Sequence, residues 1–177
     1  MSRLTIAPIT EASGQAAQLF AAIKAGVGKV PNAYAGIGML SPVALESVLH
    51  LDGALRKSTL SPQEIETVKL AVSEQAGCDY CLAAHTLMGR KVGLQDAAML
   101  GLRHGRPSGD ARLDLLAEFA RSLVATRGTA PAELVERVRA AYSDAQIVDT
   151  LLAVTAITFT NLYNRVNDTA LDFPPAP

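Results

Sequence analysis

Two cysteines, Cys78 and Cys81, stand two residues apart in the stretch 76-AGCDYCLAAH-85, and His85 follows four positions after the second. On a helix that begins at Cys78, Cys81 lies one turn on and His85 one turn further, so the three side chains share a face. A thiolate in that position is stabilised by the unpaired N–H groups of the first turn and by the positive end of the helix dipole. A free thiol pKa of about 8.5 falls toward neutrality in such a place. His85 then serves Cys81 as a base that removes the thiol proton or as a cation that holds the thiolate, directly or through one water. Cys78 is placed to attack an oxidised Cys81 and close a disulfide.

Two other chemistries compete for the same side chains. Cys78, Cys81, His85 and Glu66 are ligand types that zinc prefers, although the cysteines and the histidine all come from one helix start and no second Cys/His cluster completes a site. A permanent disulfide is the third reading. A chain of 177 residues buries a sizeable core without covalent staples, and a close cysteine pair in a reducing compartment is more often catalytic or metal-binding.

Glu66 is the upstream carboxylate with an opportunity to reach the histidine. A chain reversal at Gly77 folds its helix back beside Cys81 and His85, where the carboxylate orients the imidazole. The plainer alternative makes Glu66 a surface residue paired with Lys69 or Lys91, and His85 a core histidine satisfied by a backbone carbonyl. Tyr80 reads as a packing residue, with donation to a peroxide oxygen as the sharper alternative. His50 and His104 have no comparable company and read as surface or structural.

The elements that position these residues are helices throughout. Ala- and Leu-rich segments with apolar residues at three- and four-residue spacing predict an all-α single domain over 1–177, with little strand-like alternation. One helix is expected from Thr10 to about Ala25, a short one after Pro31, and a third from Ser41-Pro42. The next, 59-TLSPQEIETVKLAVSEQAGC-78, has Ser61 as cap, Pro62 in its first turn, Glu64 to complete a capping box and Gly77 as its stop. The cysteine helix then runs from Cys78 to about Lys91, followed by 95-QDAAMLGLRH-104 and a loop at 105–110. C-terminal helices occupy 110–166, and the proline-rich tail 172–177 is extended.

An internal echo accompanies this order. Shifting by 82 residues lays 61-SPQEIETVKLAV-72 over 143-SDAQIVDTLLAV-154, with Thr160 and Tyr163 where Cys78 and Cys81 stand. Either the fold holds an internal helical repeat of which one half kept the chemistry, or two capped amphipathic helices merely look alike.

Composition narrows the partners. Sixteen Lys+Arg against seventeen Asp+Glu give a formal charge of −1, which offers no broad positive surface for nucleic acid. The N-terminal MSRLTIAPIT lacks the continuous apolar region of a secretory signal, so a cytoplasmic protein is expected. The apolar run 147-IVDTLLAVTAITFTNLY-163 carries Asp149, four threonines and Asn161, and reads as a core helix rather than a membrane span.

The set Glu66, Cys78, Cys81 and His85 resembles the E-x11-C-x2-C-x3-H signature of the AhpD-like alkylhydroperoxidases, within the carboxymuconolactone decarboxylase superfamily. The likeness is strongest over about 40–105, the expected catalytic core, and 161-NLYNRVNDTALDFP-174 resembles the tail of the peroxidase-related branch. It implies an AhpD-like helical bundle, a homo-oligomer (a trimer or a hexamer), and reduction of organic hydroperoxides with no cofactor or bound metal. Carried over by position, Cys81 is the peroxidatic cysteine and Cys78 the resolving one, with His85 and Glu66 as proton relay. A lipoyl-type or thioredoxin-like dithiol restores the pair. Where some members carry a histidine before the second cysteine, this chain has Tyr80. Lactone decarboxylation is not implied, because that branch lacks the cysteine pair. A non-enzymatic redox sensor or oligomeric scaffold uses the same cysteines in the remaining reading.

Overall fold

The computed structural model describes residues 2–177. Those residues form nine α-helices and one short 3-10 turn, Ile9–Glu11, with no strand among them. The helices are α1 (Gly14–Val27), α2 (Asn32–Leu40), α3 (Pro42–Leu55), α4 (Pro62–Gln75), α5 (Asp79–Lys91), α6 (Asp96–His104), α7 (Ala111–Ala125), α8 (Ala132–Ala141) and α9 (Asp144–Asn167).

The bundle is built around α4, which packs against α5, α6, α7 and α9. Every residue from Glu64 to Ser73 is buried, so this helix has no solvent face. Its apolar members Val68, Leu70, Ala71 and Val72 sit in the main core with Leu116, Ala117, Ala120, Ala153 and Ile157. Four of its five buried polar members have a partner in the interior, and the Thr67 hydroxyl has none. Glu64 closes the capping box with Ser61 and receives Arg112, Lys69 binds Asp52, Ser73 accepts from Asn161, and Glu66 meets His85. A smaller cluster of Ala16, Phe20, Ile23, Ile37 and Leu45 joins α1 to α2 and α3.

The reversal between α4 and α5 is the local feature that builds the site. Gly77 takes the left-handed conformation, at φ 60°, just past the end of α4. Its N–H bonds to the carbonyl of Glu74 at 3.0 Å and that of Cys78 to Ser73 at 3.0 Å, the paired bonds of a Schellman ending. Cys78 thereby closes α4 and caps α5, accepting the Cys81 N–H on its sulfur at 3.4 Å. Gly77→Ala would force a side chain into this conformation and against the Arg165 guanidinium, 3.2 Å from an added Cβ. A loss of about 1–2 kcal/mol is expected from the left-handed backbone alone. Thermal unfolding should fall by about 2–4 °C per kcal/mol, and an unchanged melting temperature would show that the turn tolerates a side chain.

Several boundaries differ from expectation. The first helix starts at Gly14 after a Ser13 cap rather than at Thr10, because Ile9–Glu11 makes its own 3-10 turn, and it continues through Gly26 to a left-handed cap at Gly28. The echo between α4 and α9 is real in their first turns, since Ser61/Glu64 and Ser143/Gln146 both form capping boxes. It stops there. Phe159 occupies the position that matches Gly77, and α9 runs on unbroken to Asn167 where α4 has already reversed.

The run 147–163 also departs from a simple core helix. Thr150, Ala153, Ala156, Ile157, Asn161, Asn164 and Asn167 face inward, while Val148, Leu151, Phe159, Leu162 and Val166 lie exposed along the opposite side. Helix α9 is the one helix among the described residues with the length and composition of a membrane span. The tail 172–177 has no regular structure, as expected, but it is held in place. Asp172 receives Tyr80, Lys29 and the Asn32 N–H, Phe173 meets the Tyr80 ring edge-on, and the Pro177 carbonyl receives Arg103.

Candidate active site

The four residues singled out by spacing fall on two adjacent helices and form two contacts. Glu66, from the middle of α4, lies 2.7 Å through Oε2 from Nδ1 of His85 on α5. Both are largely buried, so the surface role for Glu66 and the backbone partner for His85 are replaced by one carboxylate–imidazole pair. Lys69 belongs instead to Asp52, at 2.8 Å.

The second contact is between the two sulfurs, 2.7 Å apart, as free cysteines. Cys78 is 2% and Cys81 3% exposed, so any oxidant must reach them through the protein surface rather than from open solvent. Two shallow clefts, one around Glu136, Arg139 and Tyr142 and the other around Leu102, Arg106 and Arg121, lie elsewhere.

The sulfurs share one proton readily and release the second with difficulty. The Cys81 thiol donates to Cys78 and burial opposes its charge; together with the Cys81 N–H, Asn161 and Arg165, the first effect pulls Cys78 down to about 7. Cys81 is pushed well up by the same hydrogen bond, by burial and by the neighbouring charge, with Asn164 and Asn161 acting in the opposite sense. Thiolate absorbance of the reduced protein should therefore rise by one equivalent with a midpoint near pH 7. The second equivalent should appear only far above the usual thiol range. Two thiols titrating together in that range would contradict the shared proton. The sign for stability follows: with Cys78 depressed, the reduced fold gains stability as pH rises from about 7 toward the ordinary thiol value. Above that value the raised Cys81 works against it.

Three features of the site had no signal in the spacing. From α9, Asn164 donates through Nδ2 to the Cys81 sulfur at 3.3 Å, and Asn161, one turn earlier, donates to Ser73 at 3.1 Å. From α2 and α3, Tyr34 donates to Asp52 at 3.0 Å on the carboxylate that also holds Lys69. Burial pushes the Asp52 carboxyl up, but the Lys69 charge and the bonds from Lys69 and Tyr34 outweigh it and leave it below the usual range; His85 acts in the same direction. Burial and then Asp52 push the Tyr34 phenol up, against the nearby Arg56 charge.

Tyr80 is committed. Its hydroxyl donates to Asp172 Oδ1 at 2.7 Å and accepts the Ala33 N–H at 3.1 Å, which favours the packing reading over donation to a peroxide. His50 is exposed, and His104 lies 3.5 Å from Glu74, far from the cysteine chemistry in role. Among the described residues, no group of three or more His, Cys, Asp or Glu side chains has the arrangement to hold a metal ion.

Residues 42–106 match the family model of the carboxymuconolactone decarboxylase family, and this segment contains all four spaced residues. Over that segment the chain is similar to the carboxymuconolactone decarboxylase family. Its fold is AhpD-like. The alkylhydroperoxidase AhpD core structure of an uncharacterised peroxidase-related protein from Ralstonia eutropha JMP134 superposes with a TM-score of 0.85 at 16% identity, covering 97% of this chain and 92% of that one. The debrominase Bmp8, solved with 2,3,4-tribromopyrrole, gives a TM-score of 0.81 at 14% identity over 97% of this chain and 94% of its own. In sequence, the uncharacterised Bacillus subtilis (strain 168) protein YdfG is 27% identical over 134 residues, 72% of this chain and 87% of the relative. One helical frame thus carries a debrominase and a peroxidase-related protein.

Proposed function

We infer that this protein is a thiol-dependent peroxidase that reduces organic hydroperoxides through a redox-active disulfide between Cys78 and Cys81. The observation that carries the reading is the 2.7 Å contact between two buried free sulfurs, with the largely buried Glu66–His85 pair one turn further along α5. His85 takes the first proton from the pair, with Glu66 holding the ring. The remaining proton moves from Cys81 to Cys78 across the sulfur–sulfur contact, which places the charge on Cys81. The higher-pKa thiolate is intrinsically the better nucleophile. The Cys81 sulfur attacks the terminal oxygen of ROOH, the O–O bond breaks, and the alkoxide takes the proton from His85 and leaves as ROH. Cys78–SH then condenses with Cys81–SOH, releasing water and forming the disulfide. The hydroperoxide gains two electrons and the cysteine pair loses two.

Turnover requires an external dithiol, of lipoyl or thioredoxin-like type, to reduce the disulfide. The test is steady-state loss of cumene hydroperoxide with dihydrolipoamide or a reduced thioredoxin-like protein as donor. Multiple turnovers that stop without donor support the reading. A disulfide that forms once and is not recycled by either donor would make the protein a redox sensor instead.

The exposed stripe Val148, Leu151, Phe159, Leu162 and Val166 supports self-association, because contiguous apolar surface of this kind marks interaction sites. A trimer or a hexamer is the expected assembly. Light scattering after size exclusion should give three or six times the 18.6 kDa chain, and Leu162→Asp should lower that mass. A monomer in the unaltered protein would contradict the proposal.

A further inference from the structure

Buried side-chain amides have two ends to satisfy, and at this site only one end of each is satisfied. Asn161 is 2% and Asn164 4% exposed, and both present an N–H to the machinery around the cysteines. Their carbonyl oxygens, Asn161 Oδ1 and Asn164 Oδ1, are buried with no hydrogen-bond donor. An orphaned buried acceptor costs stability and is rarely kept without a use. Asn164 is the more telling of the two, since its other end touches the Cys81 sulfur. An acceptor carried on the same amide suits a group that brings an O–H to that sulfur. A hydroperoxide, HO–OR, and a cysteine sulfenic acid, S–OH, both do so.

We propose that Asn164 is a catalytic residue of this site: its N–H holds the Cys81 thiolate and its unpaired carbonyl accepts the O–H of the hydroperoxide under attack and then of the sulfenic acid. The inference rests on the peroxidase reading for its substrate half, while its thiolate half stands on the amide–sulfur contact alone. In the reaction, Asn164 gains and loses no atom. The S–O bond forms on Cys81 as the O–O bond breaks, and the amide follows the O–H from peroxide to sulfenic acid. Asn161, one turn away, keeps Ser73 as the partner of its N–H and is a positioning residue.

The test uses a Cys78→Ser background, which leaves Cys81 as the single thiol. The charged groups around it (Glu66 and His85, Asp52 and Lys69, and Arg165) are left in place. Asn164→Leu should raise the midpoint of Cys81 ionisation, read by thiolate absorbance. One hydrogen bond to a charged group corresponds to about a tenfold to hundredfold change in the ionisation constant. The rate with cumene hydroperoxide, divided by the thiolate fraction, should fall by a further factor of about ten from loss of the carbonyl. Asn164→Ala is smaller, uncharged and equally without the N–H, and should raise the midpoint as far, so it decides the matter if the leucine variant does not fold.

Asn167→Leu is the control. It is equally buried on α9 but bonded to Ser2, Leu4 and Thr169, and it should lower thermal stability without moving the midpoint. An unmoved midpoint in a folded Asn164 variant, or an equal shift in Asn167→Leu, overturns the proposal. A shifted midpoint with an unchanged normalised rate overturns its carbonyl half. If the parent does not react with hydroperoxide at all while the midpoint still shifts, the peroxidase reading fails and the thiolate contact stands.

Discussion

Cys81→Ser is expected to abolish hydroperoxide reduction, lowering kcat/KM by more than about a thousandfold as removal of a covalent nucleophile does. Cys78→Ser should instead stop turnover while still allowing one oxidation per chain. Without the resolving thiol, Cys81 is trapped as a sulfenic acid, a gain of about 16 mass units. The asymmetry is a demanding test, because the ground-state charge of the reduced pair rests on Cys78, at about 7, and not on Cys81. The two assignments meet through the shared proton. The sulfur that attacks need not be the one that holds the charge most of the time; Asn164 touches the Cys81 sulfur, and His85 stands one turn past Cys81 on α5. Trapping on Cys78 in the Cys81→Ser variant would reverse the two roles.

The second large effect is expected at the relay. His85→Ala should slow peroxide reduction by about a hundredfold to a thousandfold, the usual contribution of a positioned acid–base group. Glu66→Gln should cost a similar factor while leaving the imidazole in place, since the carboxylate at 2.7 Å fixes which ring nitrogen faces it and leaves Nε2 to exchange protons. Because the two act as a unit, the double variant should be little slower than His85→Ala alone. Additive losses, measured as single-turnover rates, would mean that Glu66 and His85 work separately.

Much of this site is local in sequence, which is why it was legible. The capping box at Ser61, the Gly77 stop and the Cys78 cap follow from turn and cap chemistry within a few residues of each other. Once α4 and α5 reverse at Gly77, the spacing brings Glu66 to His85 and Cys78 to Cys81. The parts that were not legible come from far along the chain. Asn161 and Asn164 reach the cysteines from α9, Asp52 reaches Lys69 from α3, and Asp172 with Phe173 holds Tyr80 from the tail. No period or cap predicts which distant polar side chain an interior helix will meet. The two sides of α9 were hidden for another reason. Its polarity points the wrong way, since Thr150 and three asparagines face inward while Val148, Leu151, Phe159, Leu162 and Val166 face out, and Phe159 in place of a glycine keeps that helix going where the echo with α4 suggested a turn.

The measurement closest to the central claim is the intact mass of reduced protein mixed with one equivalent of cumene hydroperoxide and quenched within seconds. A loss of about two mass units is expected, the two hydrogens of a new Cys78–Cys81 disulfide, with one equivalent of alcohol formed. Cysteines that stay fully reduced under those conditions, in protein shown to be folded, would contradict it.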